Sequence, residues 1–99
     1  MKTSEILIAA RALIDRPERW CKGESRMINK DGGLQRCAER ALLDSGERPW
    51  GLAWFALAAA LGTDEIFRTQ DVLSHAEVMS AFDRAIALLG RASQGAADD

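Results

Sequence analysis

Residues 49–62, PWGLAWFALAAALG, restrict what this chain can fold into more than any other stretch. Trp50, Trp54, Leu57 and Leu61 recur at spacings of four, three and four, one stripe of a helix with 3.6 residues per turn. The other sides carry Leu52, Ala53, Phe55, Ala56, Ala58, Ala59 and Ala60, so no face is polar. A helix that is apolar all round must be enclosed by other elements. Pro49 suits the first helical position and Gly62 the residue just past the end. The resulting dozen or so residues fall well short of the roughly 20 that cross a bilayer. The stretch reads as the buried central helix of a small domain, with no membrane association.

Three further helices and two single turns account for the rest. Thr3 or Ser4 can cap the first, whose buried stripe is Ile6, Ala9 or Ala10, Leu13 and Ile14, and Pro17 stops it. Pro17 can also open one further turn, closed by Gly23. Residues 22–33 are polar and broken, with Asn29-Lys30-Asp31-Gly32-Gly33 as a turn signal. Met27 and Ile28 fit either a scrap of strand or a loop tucked over the core, and the loop is favoured. A second helix is expected over 34–44, with Leu34, Cys37, Ala38, Ala41 and Leu42 on one face. After Gly62, Thr63-Asp64-Glu65 starts one turn at most. Ser74-His75-Ala76-Glu77 is a capping box, followed by a stripe of Val78, Phe82, Ile86 and Leu89 and ended by Gly90. The expected fold is therefore all-α: a compact single-domain bundle of about four helices around the buried central helix. It covers residues 1–90, with 91–99 a disordered tail.

Composition narrows the function classes more than it selects one. At 99 residues, with 47% apolar and 28% charged residues, the chain has room for one modest core. A net charge of −2 argues against a generally basic nucleic-acid binder. The charge is uneven, since residues 1–50 hold ten Lys/Arg against eight Asp/Glu, and residues 51–99 hold three against seven. Arg11 and Asp15 interrupt the first apolar run, so it lacks a signal-peptide core, and a cytoplasmic protein with reduced thiols is expected.

Each chemically capable residue has a plain structural alternative. His75, the sole histidine, could be a general base beside Glu77, but its place at a helix N-terminus disfavours imidazolium. Cys21, between Trp20 and Lys22, could be a reactive thiol; buried packing is the commoner role for it and for Cys37. Two cysteines and one histidine do not make a four-ligand zinc site, and no phosphate loop or metal motif is present. Trp20, Trp50 and Trp54 read as core bulk, Trp50 least so. No catalytic, cofactor-binding or metal residue is assigned and no cofactor is expected. The candidate interaction surface is Arg19, Lys22, Arg26, Arg36 and Arg40, where Arg36 and Arg40 as an i,i+4 pair on one helix repel unless an anion lies nearby.

Three stretches carry a resemblance: Trp20-Cys21-Lys22-Gly23; Cys37-Ala38 with Ala41-Leu42; and Ser74-His75-Ala76-Glu77-Val78 with Phe82-Asp83-Arg84-Ala85-Ile86. Together they resemble a family of small bacterial and phage-associated proteins defined by a domain of unknown function with a Trp-Cys-x-Gly motif. The chain departs from it at Arg36, Arg40 and Phe67-Arg68-Thr69, where the family has tryptophan, glycine and Trp-Asn-Asp. The resemblance implies an all-helical domain and a mobile-element context, and it implies no reaction. The leading expectation is a non-enzymatic accessory protein that binds another protein. The alternatives are a weak RNA or DNA binder using the five basic residues, and a small enzyme using Cys21 or His75.

Overall fold

The computed structural model describes the backbone of residues 2–95 and the side chains of residues 2–90. In chain order it contains α1 (Thr3–Leu13), a 3₁₀ turn (Pro17–Arg19), β1 (Arg26–Ile28), β2 (Leu34–Arg36), α2 (Ala38–Asp44), α3 (Leu52–Leu61), α4 (Ile66–Gln70) and α5 (His75–Gly95). The protein is mostly helical, as expected, but among the described residues there are five helices and a two-stranded hairpin. The strict all-α, four-helix description therefore needs correction.

The hairpin is the main departure. Arg26 pairs with Arg36, Met27 with Gln35 and Ile28 with Leu34 in an antiparallel register, so Met27 and Ile28 form a strand and not the favoured loop. The turn signal closes it: Asn29 N–H donates to the Gly33 carbonyl at 2.8 Å, and Asp31 Oδ1 accepts from Gly33 N–H at 2.8 Å. Both strands are too short to stand alone. The 3₁₀ turn anchors them through the Glu18 carbonyl, which accepts from the side-chain amides of Asn29 and Gln35 at 3.1 Å each. Because Leu34–Arg36 is strand, α2 begins at Ala38, four residues later than expected, and Cys37 is its N-cap, with Sγ accepting from Arg40 N–H at 3.3 Å.

Helix starts and stops otherwise follow local chemistry. α1 begins behind Lys2, whose N–H donates to Glu5 Oε1 at 3.1 Å, so neither Thr3 nor Ser4 is the cap residue. α3 starts at Leu52, three residues beyond Pro49, because Trp50 takes a left-handed φ of 66° that no helix can include. Glu47 does the capping from upstream, its Oε2 accepting from Trp54 N–H at 2.7 Å. Gly62 ends α3 with φ 72°, as expected of a C-terminal glycine. The capping box at α5 is present in both directions: Ser74 N–H donates to Glu77 Oε1 at 2.9 Å, and Glu77 N–H to Ser74 Oγ at 3.1 Å. α5 runs on through Gly90 to Gly95, so the expected tail is helical as far as Gly95; residues 96–99 lie outside the described residues.

α3 packs on α5, α1 packs on α5, α2 and α3, and α4 closes the end beside α2. The core they share includes Leu7, Ile14, Leu42, Trp54, Leu57, Ile66, Val78 and Phe82. A radius of gyration of 12.9 Å matches the roughly 13 Å of a folded 100-residue domain. Among the described residues no helix is long and apolar enough to cross a membrane.

Candidate functional site

The expected basic surface is only partly assembled. Arg26 and Arg36 are directly paired across the hairpin, and Arg40 is on the first turn of α2, so their guanidiniums converge on one carboxylate, Asp44. Arg36 Nε lies 2.7 Å from Asp44 Oδ2, with Arg26 Nη2 and Arg40 Nη1 at 3.1 and 3.6 Å from Oδ1. Arg36 is on β2 and not on α2, so the expected helical Arg36/Arg40 repulsion does not arise; Asp44 is the anion between them. Burial alone would raise the Asp44 carboxyl, but hydrogen bonds from Arg36 and Arg26 outweigh it and hold it below its ordinary value. Arg40 also donates through Nε to Ser25 Oγ at 2.8 Å. The other two members are elsewhere: Arg19 forks onto Asp31 at 3.2 and 3.3 Å, and Lys22 stands 5.3 Å from the Trp20 ring centroid. The arrangement ties the hairpin to α2 with much of its charge directed at internal carboxylates.

The residues with catalytic potential are held in structural roles. Cys21 is buried and its thiol is pushed up to about 11, chiefly by loss of solvent and then by the neighbouring Cys37. Burial also raises Cys37. Neither thiol is positioned to be a thiolate near neutrality. His75 is half-buried, with Nε2 2.7 Å from the Ile14 carbonyl and its ring 5.7 Å from that of Trp20. A carbonyl can only accept, so Nε2 carries the proton and joins the start of α5 to the end of α1. Among the described residues no group of three or more His, Cys, Asp or Glu could hold a metal ion.

A buried polar centre went unread in the sequence. Gln70, at the end of α4, has no exposed surface. Its Oε1 accepts from the Trp20 indole N–H and from Ala38 N–H at 3.3 Å, and its Nε2 donates to the Cys21 carbonyl at 3.4 Å and to Asp71. A lone glutamine in a short helix offers no sequence signal for this role.

The third arrangement is aromatic. The outward side of α3 is in solvent: Leu52 is 69% exposed, Phe55 51%, and Trp50, just ahead of the helix, 62%. The ring centroids of Trp50 and Trp54 are 4.4 Å apart, and Phe55 lies 6.0 Å from Trp50 and 5.3 Å from Trp54. Ala59, one turn after Phe55, continues the strip to Leu88 of α5, which borders the same shallow groove. The expectation of a fully enclosed central helix is thereby corrected: α3 buries Ala53, Trp54, Ala56, Leu57 and Ala58 and leaves its other side open. Beside Trp50 and Trp54, a notch of about 120 Å³ is completed by Glu39, Leu43 and Pro49. Glu39 Oε2 accepts from the Trp54 indole N–H at 3.2 Å. A wider groove of about 400 Å³ between the end of α3 and α5 is lined by Leu61 and Leu73 and by small side chains, with Glu77 and Arg84. Glu77 is engaged in its cap and Arg84 donates to the Ala60 carbonyl at 2.9 Å. Comparison with family models, with curated proteins and with solved structures finds no match to this chain, so its function must be read from these three arrangements.

Proposed function

We propose that this is a non-enzymatic accessory protein that works by docking another protein on the open side of α3. The supporting observation is that a helix with no charged residue, Leu52–Leu61, keeps Leu52, Phe55 and Ala59 in solvent beside an exposed Trp50. Scaled by roughly 200 Å² for a large side chain, Trp50, Leu52, Phe55 and Leu88 display about 450 Å² of apolar surface. Patches of about 300–600 Å² on small proteins are frequently interaction sites. Aromatic residues packed at the centre of such a patch are the residue types that dominate binding energy. Trp50 adds a second sign, since a bulky side chain at φ 66° carries backbone strain of about 1–3 kcal/mol. The resemblance to phage-associated proteins of unknown function agrees with an accessory role, and a mobile-element origin is part of the proposal.

The proposal does not extend to nucleic acid, because Arg19, Arg26, Arg36 and Arg40 face Asp31 and Asp44 within the molecule. The test compares capture from the native host by the tagged parent and by a Leu52→Gln/Phe55→Gln variant. Glutamine is a good helix former and both positions are exposed, so the variant keeps the fold. A protein held by the parent and released by the variant supports docking on this face. Equal capture by both overturns it.

A further inference from the structure

Exposure alone does not say what meets the α3 face, but the notch at its edge does. Its walls are the indoles of Trp50 and Trp54, inclined at 54° with centroids 4.4 Å apart, together with Pro49 and Leu43. One anionic group, the Glu39 carboxylate, borders it, engaged by the Trp54 indole N–H through Oε2. Among the described residues no lysine or arginine makes an ion pair with Glu39. Its neighbour Arg40 is turned toward Ser25 and Asp44. A carboxylate that meets the N–H edge of Trp54 and shares its notch with the exposed Trp50 ring is complementary to a cation with an apolar stem. Indole faces attract cations within about 6 Å of the ring centre, and the free lone pairs of Glu39 supply charge-assisted acceptors. Size selects further. Ligand pockets for metabolites run to about 300–1,000 Å³, whereas about 120 Å³ accommodates only the end of a side chain.

We infer that the Glu39–Trp50–Trp54 notch is a socket for a lysine or arginine side chain of the docked protein, the charged anchor of an otherwise apolar interface. The inference rests on the docking reading above and specifies its partner: a surface with a protruding cation flanked by apolar residues. The strained backbone of Trp50 fits this role, because it turns the indole away from the core to form the outer wall of the notch.

The three indole N–H groups give a direct readout. In heteronuclear spectra of the labelled parent, Nα-acetyl-lysine methylamide or its arginine counterpart should shift the Trp50 and Trp54 indole signals. The Trp20 signal should stay, since its N–H is bonded to buried Gln70. The norleucine analogue, with the stem and no charge, should do much less. Glu39→Gln keeps an acceptor for Trp54 while removing the charge, and should weaken the lysine response about tenfold, near 1.4 kcal/mol. Trp50→Asn, a residue that tolerates φ 66°, should abolish it without unfolding the chain. Equal responses to lysine and norleucine, or a response indifferent to Glu39→Gln, would overturn the socket.

The two readings fail separately. If a captured protein depends on Leu52 and Phe55 but is retained equally by Glu39→Gln, the socket is wrong and the docking face stands. If capture ignores Leu52 and Phe55, the docking reading falls, whatever the notch does with free lysine amide. A concentration-dependent dimer of the parent that Glu39→Gln dissociates would put a second copy in the notch and overturn the separate partner.

Discussion

Single residues decide more here than their place in the sequence suggests. Gln70 bonds to Trp20, Cys21, Ala38 and Asp71, and so ties the end of α4 to the segment after the 3₁₀ turn and to the start of α2. Gln70→Leu keeps the volume but strands the Trp20 indole N–H and the Ala38 N–H in the interior. A buried donor without a partner costs about 1–3 kcal/mol, so the variant should lose at least that much in denaturant unfolding; unchanged stability would show these groups reach solvent. The thiols set an upper pH limit. Cys21 is raised from its ordinary 9.0 to about 11, so the fold favours the neutral form. That stabilisation is complete below pH 9 and is lost as pH rises toward 11. Asp31, Asp44 and Glu77 act oppositely: each is lowered, so their contribution is present above their ordinary values and lost as pH falls through the lower folded ones. Melting temperature should therefore be flat between about pH 5 and 9 and fall on both sides. Iodoacetamide should leave Cys21 unmodified at pH 7.5 in the folded protein, and rapid alkylation there would contradict its burial.

At the scale of elements, what could be read depended on whether a local signal competed with a distant one. Ser74 and Glu77 cap α5 with bonds internal to four residues, and nothing elsewhere opposes them. Ser74→Ala should cost about 0.5–2 kcal/mol while Ser74→Asp stays near the parent, since aspartate caps as well; circular dichroism melts of the two variants separate the outcomes. The stripe of Val78 and Phe82 was legible for the same reason, and both are fully buried. Residues 34–36 were not. Leu34 and Cys37 fit a helical face by spacing, yet Arg36 is drawn into a strand by Cys21 N–H, which donates to its carbonyl at 3.1 Å, and by the pairing with Arg26. Those partners lie ten or more residues away, beyond any local period. The start of α3 was misplaced because Pro49 is a good first helical residue in isolation, and only the Trp50 backbone and the Glu47 cap move the helix to Leu52.

For the whole molecule, the informative failure concerns α3. It contacts α1, α2, α4 and α5, but an all-apolar helix was expected to be enclosed on every side. The other elements do not do that: α5, α1, α4 and α2 pack against it, while the hairpin packs on α2 and the 3₁₀ turn. The same sequence pattern thus specifies the centre of the core and, on the side left over, the candidate docking face. Glu39 was legible only as a polar helix position, because its relation to Trp50 and Trp54 exists only after α2 and α3 are packed. The two sides of α3 should respond differently to mutation. Trp54 is 5% exposed and anchors the core, so Trp54→Ala should cost about 3–5 kcal/mol, a large part of the roughly 5–15 kcal/mol that holds a domain folded. Leu52, two residues earlier on the same helix and 69% exposed, should tolerate Leu52→Gln within about 0.5 kcal/mol. Urea unfolding of the pair measures the contrast. Comparable losses would mean that the outer side of α3 is packed within the monomer, and a near-neutral Trp54→Ala would mean that α3 is not the centre of the core.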